Sequence, residues 1–368
     1  MLNKIISITT WLILFILAGC SDASPSAEEP SAQERTITLN LDITTRADEL
    51  PPDGSVPGII RLWIFDNNNE KLITYVVSSQ NVWTPVGTDG IDIKTTLQTE
   101  IEAENIDVKQ SFKIYLLLNQ PYTDDGKGST VPVDFSDIKT LDELKGKMFV
   151  LTEYKGDNKV PMTGGGTAKF SSVEGNKIIF DASINATRCV AKLGIYCTKS
   201  SKTARLILHK VTLNSIPDKG SLFKTETLTG LEYSDGKDLL SPSDETIETA
   251  YTEISLPDDT DDFWDESIEE QFTKIPTSDD ENLYVLENLD GGDKLQINGS
   301  VDEDNHRYRL ILEYTLNDVE YVQTIYLSKI CRNQFSKIYI RIKSPIETDI
   351  SYVVQPWDKH TIEVPTFD

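Results

Sequence analysis

Residues suited to metal and nucleophilic chemistry are scarce in this chain. Three histidines, four cysteines and three methionines are spread over 368 residues, too few for a nitrogen- or sulfur-rich metal cage. There is no His-Glu-x-x-His pair and no Gly-x-Ser-x-Gly elbow. Positive charge is short as well: 35 Lys and Arg stand against 60 Asp and Glu, a formal charge of −25. So acidic a surface repels phosphate backbones and anionic headgroups. That argues against nucleic acid as a partner and against membrane attachment through surface charge. Few segments hold helical spacing, and the one sustained apolar run lies within the first twenty residues. An enzyme is not expected, nor a metal or a cofactor. Hydrophobic residues still make up 38% of the chain, enough for a packed core and enough to exclude disorder along the whole length.

The first twenty residues read as an address. Lys4 is the only charge before Asp22, and residues 5–17 are apolar apart from Ser7, Thr9 and Thr10. That run is short of the roughly 20 apolar residues a membrane span needs. A positive start, a short apolar stretch and small residues at its end form a secretory signal. It closes on Leu17-Ala18-Gly19-Cys20, which resembles the bacterial lipobox. Residues 1–19 are then expected to be removed and Cys20 to carry lipid. Buried acyl methylenes at about 0.8 kcal/mol each would anchor the protein despite its acidity. Residues 20–35, rich in Ser, Ala, Pro and Glu, read as a flexible tether. Cys189, Cys197 and Cys331 leave an odd thiol. Eight residues of strand would separate the first two by ~26 Å, beyond disulfide reach, and either meets Cys331 only if the fold brings them together. All three are expected to act as small buried hydrophobes.

The body of the chain has the period-two signature of strands. In residues 36–43, Ile37, Leu39, Leu41 and Ile43 face one way and Thr36, Thr38, Asn40 and Asp42 the other. Residues 59–65 and 72–77 flank the turn Asp66-Asn67-Asn68-Asn69 and read as a hairpin. Residues 112–118 end in Leu116-Leu117-Leu118, apolar enough to be buried on both faces. Residues 136–144 are the best short helix, with Ile138, Leu141 and Leu144 on one stripe and Asp137 in its first turn. Strands are also expected at 190–196, 205–213, 334–343 and 351–355. A tight hairpin is expected at 308–316 and 319–327, where Asn317-Asp318 tolerates positive φ. The long polar stretch 225–281 carries the acidic run 258–270, read as a solvated loop because it lacks the glycine of a calcium loop. Thr163-Gly164-Gly165-Gly166-Thr167-Ala168-Lys169 is read as a turn, and His209 as structural. Many short strands with polar turns give an all-β protein of two sandwich domains, 36–185 and 186–368, with a short helix in the first.

At this level the chain resembles the fimbrillins, subunits of type V pili. The resemblance is carried by the 36–43 strand closed by Thr44-Thr45-Arg46-Ala47, by Leu62-Trp63-Ile64-Phe65-Asp66 and by Tyr115-Leu116-Leu117-Leu118-Asn119. It continues through Pro161-Met162-Thr163-Gly164, Arg188-Cys189-Val190-Ala191-Lys192-Leu193 and Gly220-Ser221-Leu222-Phe223. Arg332-Asn333 and the Gln355-Pro356-Trp357 ending complete it. It implies two tandem β-sandwich domains of transthyretin-like or immunoglobulin-like type, lipoprotein export to the outer membrane, and assembly into surface fimbriae that support adhesion. It further implies that an Arg-specific protease cuts after the first strand, which leaves, and that a strand of another pilus subunit takes its place.

On this sequence the removable strand would present Ile37, Leu39, Leu41 and Ile43, and the cut would fall between Arg46 and Ala47. Arg46 is expected in the loop that follows the strand, where a protease reaches it. Arg35 is a competing site upstream. The strand itself is expected at an edge, plugging an apolar trough. The tail, residues 349–354 and 361–364, is the natural donor. If it packs on its own domain, the subunit is a tip or anchor component rather than a stalk. A different reading is a non-polymerising surface lipoprotein that binds glycan through Trp63, Trp83 or Trp264.

Overall fold

A computed structural model of the chain describes residues 36–46, 56–86, 92–102, 110–151, 160–224, 230–240, 247–252, 256, 269–275, 283–290, 295–297, 306–344 and 347–356. Cys20, Arg35, Ala47, Trp264, His360, residues 361–364 and most of the acidic run lie outside them. The first half contains β1 (Thr36–Arg46), β2 (Ile60–Asp66), β3 (Leu72–Ser78), β4 (Thr84–Val86), β5 (Asp92–Glu102) and β6 (Phe112–Leu118). After these come β7 (Tyr122–Asp124), β8 (Thr130–Pro132), helix α1 (Leu141–Lys145), β9 (Met148–Phe149), β10 (Met162–Glu174) and β11 (Lys177–Arg188).

Eight of these strands form one sheet in the order β3-β2-β6-β10-β11-β1-β5-β4. Laid flat, its outer strands would stand roughly 34 Å apart, seven spacings of about 4.8 Å. Yet residues 79–83 join the end of β3 to the start of β4, a reach of at most about 22 Å. The sheet therefore curls over itself, and its inner face encloses one core drawn from β1, β2, β5, β6, β10 and β11. Trp83, just before β4, donates through Nε1 to the Pro57 carbonyl, just before β2, at 3.1 Å.

The glycine run in β10 has a packing reason. β10 pairs with β11 at Met162 and Thr163 and again from Lys169, while Gly164, Gly165 and Gly166 pair only with β6. A Cβ on Gly164 would sit 2.6 Å from the Asn185 carbonyl oxygen, and one on Gly166 would sit 3.2 Å from the Ile184 side chain. Only glycine lets the two strands approach so closely there. The stretch read as a turn is thus strand.

The expected helix is shorter than its apolar stripe. Ile138, Leu141 and Leu144 are all buried, but the helix begins only at Leu141. Thr140 caps it, its hydroxyl accepting from the Glu143 N–H while the Glu143 carboxylate accepts from the Thr140 N–H. Asp137 lies before the helix, paired with Lys147, and Asp142 and Glu143 fill the first turn.

The second half contains β12 (Val190–Lys199), β13 (Leu206–Asn214), β14 (Ile216–Pro217), β15 (Gly220–Ser221), β16 (Tyr233–Ser234), β17 (Lys237–Leu240), β18 (Ile247–Glu248) and β19 (Thr273–Ile275). β20 (Leu283–Leu286), β21 (Gln296–Ile297), β22 (Arg309–Leu316), β23 (Val319–Tyr326), β24 (Gln334–Ser344) and β25 (Glu347–Pro356) follow. One sheet runs β19-β12-β24-β25 and the other β17-β13-β22-β23-β21. Their inner faces share a core of Leu193, Ile195, Leu208, Leu310, Leu312, Ile338 and Ile340, among others, as a sandwich requires. The β22–β23 hairpin turns at Asn317 and Asp318, with φ of 49° and 65°, as expected from the dipeptide.

The chain changes from the first sheet to the second at Cys189, between the ends of β11 and β12. A third core covers this junction, with Trp63, Phe65 and Leu117 from the outer face of the first sheet, Leu141 and Leu144 from α1, and Cys189, Val190, Leu222 and Leu286. Arg332 fastens it. Its guanidinium donates to Glu287 Oε2 at 3.0 Å, to the Leu222 carbonyl at 2.9 Å and to Ser221 Oγ at 2.8 Å. The Leu222 carbonyl also accepts from Thr163 Oγ1, and Asn333 holds both the Arg188 N–H and the Val190 carbonyl. Several of the separate sequence pieces that carry the resemblance therefore meet at one place. There they hold the two halves together.

Candidate functional site

The candidate site is the position that β1 occupies. Its apolar face is as the alternation dictates: Ile37, Leu39, Leu41 and Ile43 are all fully buried. Its place in the sheet is not the expected edge. β1 runs parallel to β11 from Thr36 opposite Lys177 to Thr45 opposite Ala186. On its other side it runs antiparallel to β5, from Thr36 opposite Glu102 to Arg46 opposite Asp92. Periodicity reports which way side chains face; it carries no information about how many neighbours a strand has. The two flanking strands show the same alternation: Ile93, Leu97 and Ile101 in β5, and Ile178, Phe180, Ala182 and Ile184 in β11. These signals were available to sequence reasoning and were passed over.

Arg46 also differs from expectation. The β-branched Thr44 and Thr45 carry the strand three residues past Ile43, so Arg46 is its last residue rather than part of a loop. Pairing with β11 stops at Thr45, which leaves Arg46 a single neighbour, β5. Thr45 closes the buried face, donating through Oγ1 to the Ala186 carbonyl at 3.2 Å.

The outer face of β1 is polar and bonded to both sides. Asn40 donates through Nδ2 to Asp181 Oδ1 at 3.1 Å and accepts at Oδ1 from Gln98 Nε2 at 3.2 Å. Asp42 accepts from Lys94 Nζ at 2.8 Å and from Thr96 Oγ1 at 3.1 Å. The hydrogen bond from Lys94 holds the Asp42 carboxyl below its ordinary value. Thr38 is only 1% exposed although it faces outward. Glu100 on β5 stands opposite Thr38 and Lys177 on β11 opposite Thr36, and their side chains join at 2.6 Å, crossing the outer face of β1.

The tail strand β25 pairs with β24 from Glu347 opposite Ser344 to Pro356 opposite Gln334, and lies at the edge of its sheet. The tail packs on its own half in these residues. Among the tryptophans offered for glycan stacking, Trp63 is fully buried, stacked at 5.1 Å on Tyr75 and set against Phe135 and Phe223. It cannot face a ligand. Trp83 is half-buried, with its N–H engaged. Cys189 and Cys197 are free and buried, and burial pushes the Cys197 thiol up to about 12; Cys331 is free and only partly buried. His209 contacts Thr315 Oγ1 through Nε2.

No protein-family model matches the sequence, and no curated protein matches it. Solved structures do. A candidate cell adhesion protein of Parabacteroides distasonis superposes with a TM-score of 0.51 and 13% identity, covering 89% of this chain and 100% of the other. One of Bacteroides eggerthii gives 0.50 and 13%, covering 88% and 96%. The chain shares their fold. A truncated form of the tip fimbrial protein Mfa3 of Porphyromonas gingivalis gives 0.48 and 12% identity, covering 87% and 100%. At such identities the likeness is one of architecture, and it runs through both halves.

Proposed function

We propose that the chain is a structural, non-enzymatic subunit of a cell-surface fimbrium that supports adhesion. In this reading it is exported as a lipoprotein through Cys20, held at the outer membrane, cut after Arg46 by an Arg-specific protease, and joined to its neighbours by strand exchange at the β1 position. One observation carries the reading: β1 gives four aliphatic side chains to the core and a hydrogen-bonding edge to each neighbour. Its departure leaves a slot that offers an incoming extended segment two backbone ladders and a row of aliphatic pockets. Burying four aliphatic side chains is worth roughly 6–12 kcal/mol before ordering costs. Because β1 is internal, one cut does not free it. Exchange then proceeds residue by residue, the incoming strand forming bonds as β1 gives them up. The resemblance to fimbrillins and the fold shared with candidate cell adhesion proteins support this reading.

N-terminal sequencing of the surface-exposed form tests it. A start at Ala47, with a ladder of multimers in unheated gel samples, is the expected result; a blocked Cys20 and a single band overturn polymerisation. A narrower reading follows from β25. Since Glu347–Pro356 is already paired with β24, the subunit is better suited to receive a strand than to donate one, as at a tip or anchor. Purified alone, such a subunit forms no ladder and adds to one only when mixed with a donor subunit.

A further inference from the structure

The apolar face of β1 sets its register only at its ends. Ile37, Leu39, Leu41 and Ile43 are close in size, so a slide of two residues would put similar side chains into three of the four pockets. The outer face distinguishes these registers. Were β1 to slide so that Asp42 took the place of Asn40, its carboxylate would meet that of Asp181, and Asn40 would be forced into the closed position of Thr38, opposite Glu100. Slid the other way, Asn40 would bring Lys94 an amide instead of a carboxylate.

We propose that Lys94, Thr96, Gln98 and Asp181, together with the Lys177–Glu100 bridge, form a reading face that sets the register of any extended segment in this slot. Each contact selects a chemistry. The position of Thr38, opposite Glu100 at one end of the bridge and only 1% exposed, admits a small side chain. Gln98 and Asp181, on opposite flanks, offer one donor and one acceptor and so select an amide two residues on. Lys94 and Thr96 both donate and so select a carboxylate two residues further. The partner is therefore a strand with alternate aliphatic residues on one face and a small residue, an amide and a carboxylate in succession on the other. This deepens the strand-exchange reading and rests on it.

The test mixes the full chain and an Arg-specific protease with labelled peptides of residues 36–46, either unchanged or carrying Asp42→Lys or Thr38→Trp. The unchanged peptide is taken up. The Asp42→Lys peptide is taken up about fivefold less, a loss of the size expected for an exposed ion pair, and recovers on a Lys94→Glu protein. Equal uptake of all three overturns the reading face and leaves strand exchange standing. No uptake of any overturns strand exchange, and the reading face is then judged on the resident strand. Thermal unfolding of the Lys94→Glu, Asp42→Lys and doubly substituted proteins supports it if the double variant recovers what each single one loses, and overturns it if the losses add.

Discussion

The first and last described strands are nearly equal in length and opposite in circumstance. β1 has a neighbour on each side and its alternate aliphatic residues in the core; among the described residues β25 pairs with β24 alone. Both look alike as sequence, short alternating segments near an end of the chain. They differ in what must break for each to leave: two ladders and a core face for β1, one ladder and the partly buried Ile350 for β25. A strand of the first kind opens less readily than one held by a single ladder. A strand of the second kind opens more readily, though here it is engaged with β24 over its length.

Substitutions can sharpen or break this contrast. The largest difference is expected from a buried charge. Leu41→Asp should abolish folding of the first sheet, because a carboxylate would enter a closed apolar core, whereas Val354→Asp, at a residue 38% exposed, should shift unfolding by no more than about 0.5 kcal/mol. Circular dichroism and soluble yield decide it; equal damage from both would show that β25 is as embedded as β1. Next comes cavity formation. Leu41→Ala should cost about 2–5 kcal/mol in denaturant unfolding, and Ile350→Ala, only partly buried against the second core, clearly less. Equal losses would remove the contrast.

The smallest effect is electrostatic and opposite in sign at the two strands. Asp42 is held below its ordinary value by Lys94. Its contribution is fully present above the unfolded carboxyl value, near about 4, and is lost as pH falls through the lowered folded value. Lys343, beside β25, is raised by its hydrogen bond to Asp349, 2.8 Å away. Its contribution is present below the unfolded ammonium value, near about 10.4, and is lost as pH rises through the raised folded value. Acid should therefore loosen β1 first and alkali β25, read as hydrogen exchange of each strand. Asp42→Asn should flatten the acid limb alone.

Much of this was legible in sequence, and the boundary is physical. Alternation showed the core-facing residues of β1, the β2–β3 hairpin and the three buried leucines of β6. Leu117 of that strand faces the junction, while Leu116 and Leu118 face the first core. Asn317-Asp318 marked its turn because backbone chirality is a local property. Sheet order is not local. That β1 lies between β11 and β5 depends on pairings across 141 and 58 residues, as between Asn40 and its partners Asp181 and Gln98. The glycine run was misread for a related reason: glycine marks both a turn and a close crossing of strands, and only the partner tells them apart. Motif order suggested kinship, but that Arg332, Leu222 and Cys189 meet at one junction emerged only in three dimensions.

That junction has a mechanical consequence. β11 passes into β12 through Cys189 alone, so no slack separates the halves, and Arg332 and the third core clamp the crossing from both sides. A pull entering through one half reaches the other without first straightening a linker. If the chain assembles as proposed, it would act as a stiff rod in a fibre tugged by flowing liquid, and extension would come from the links between molecules.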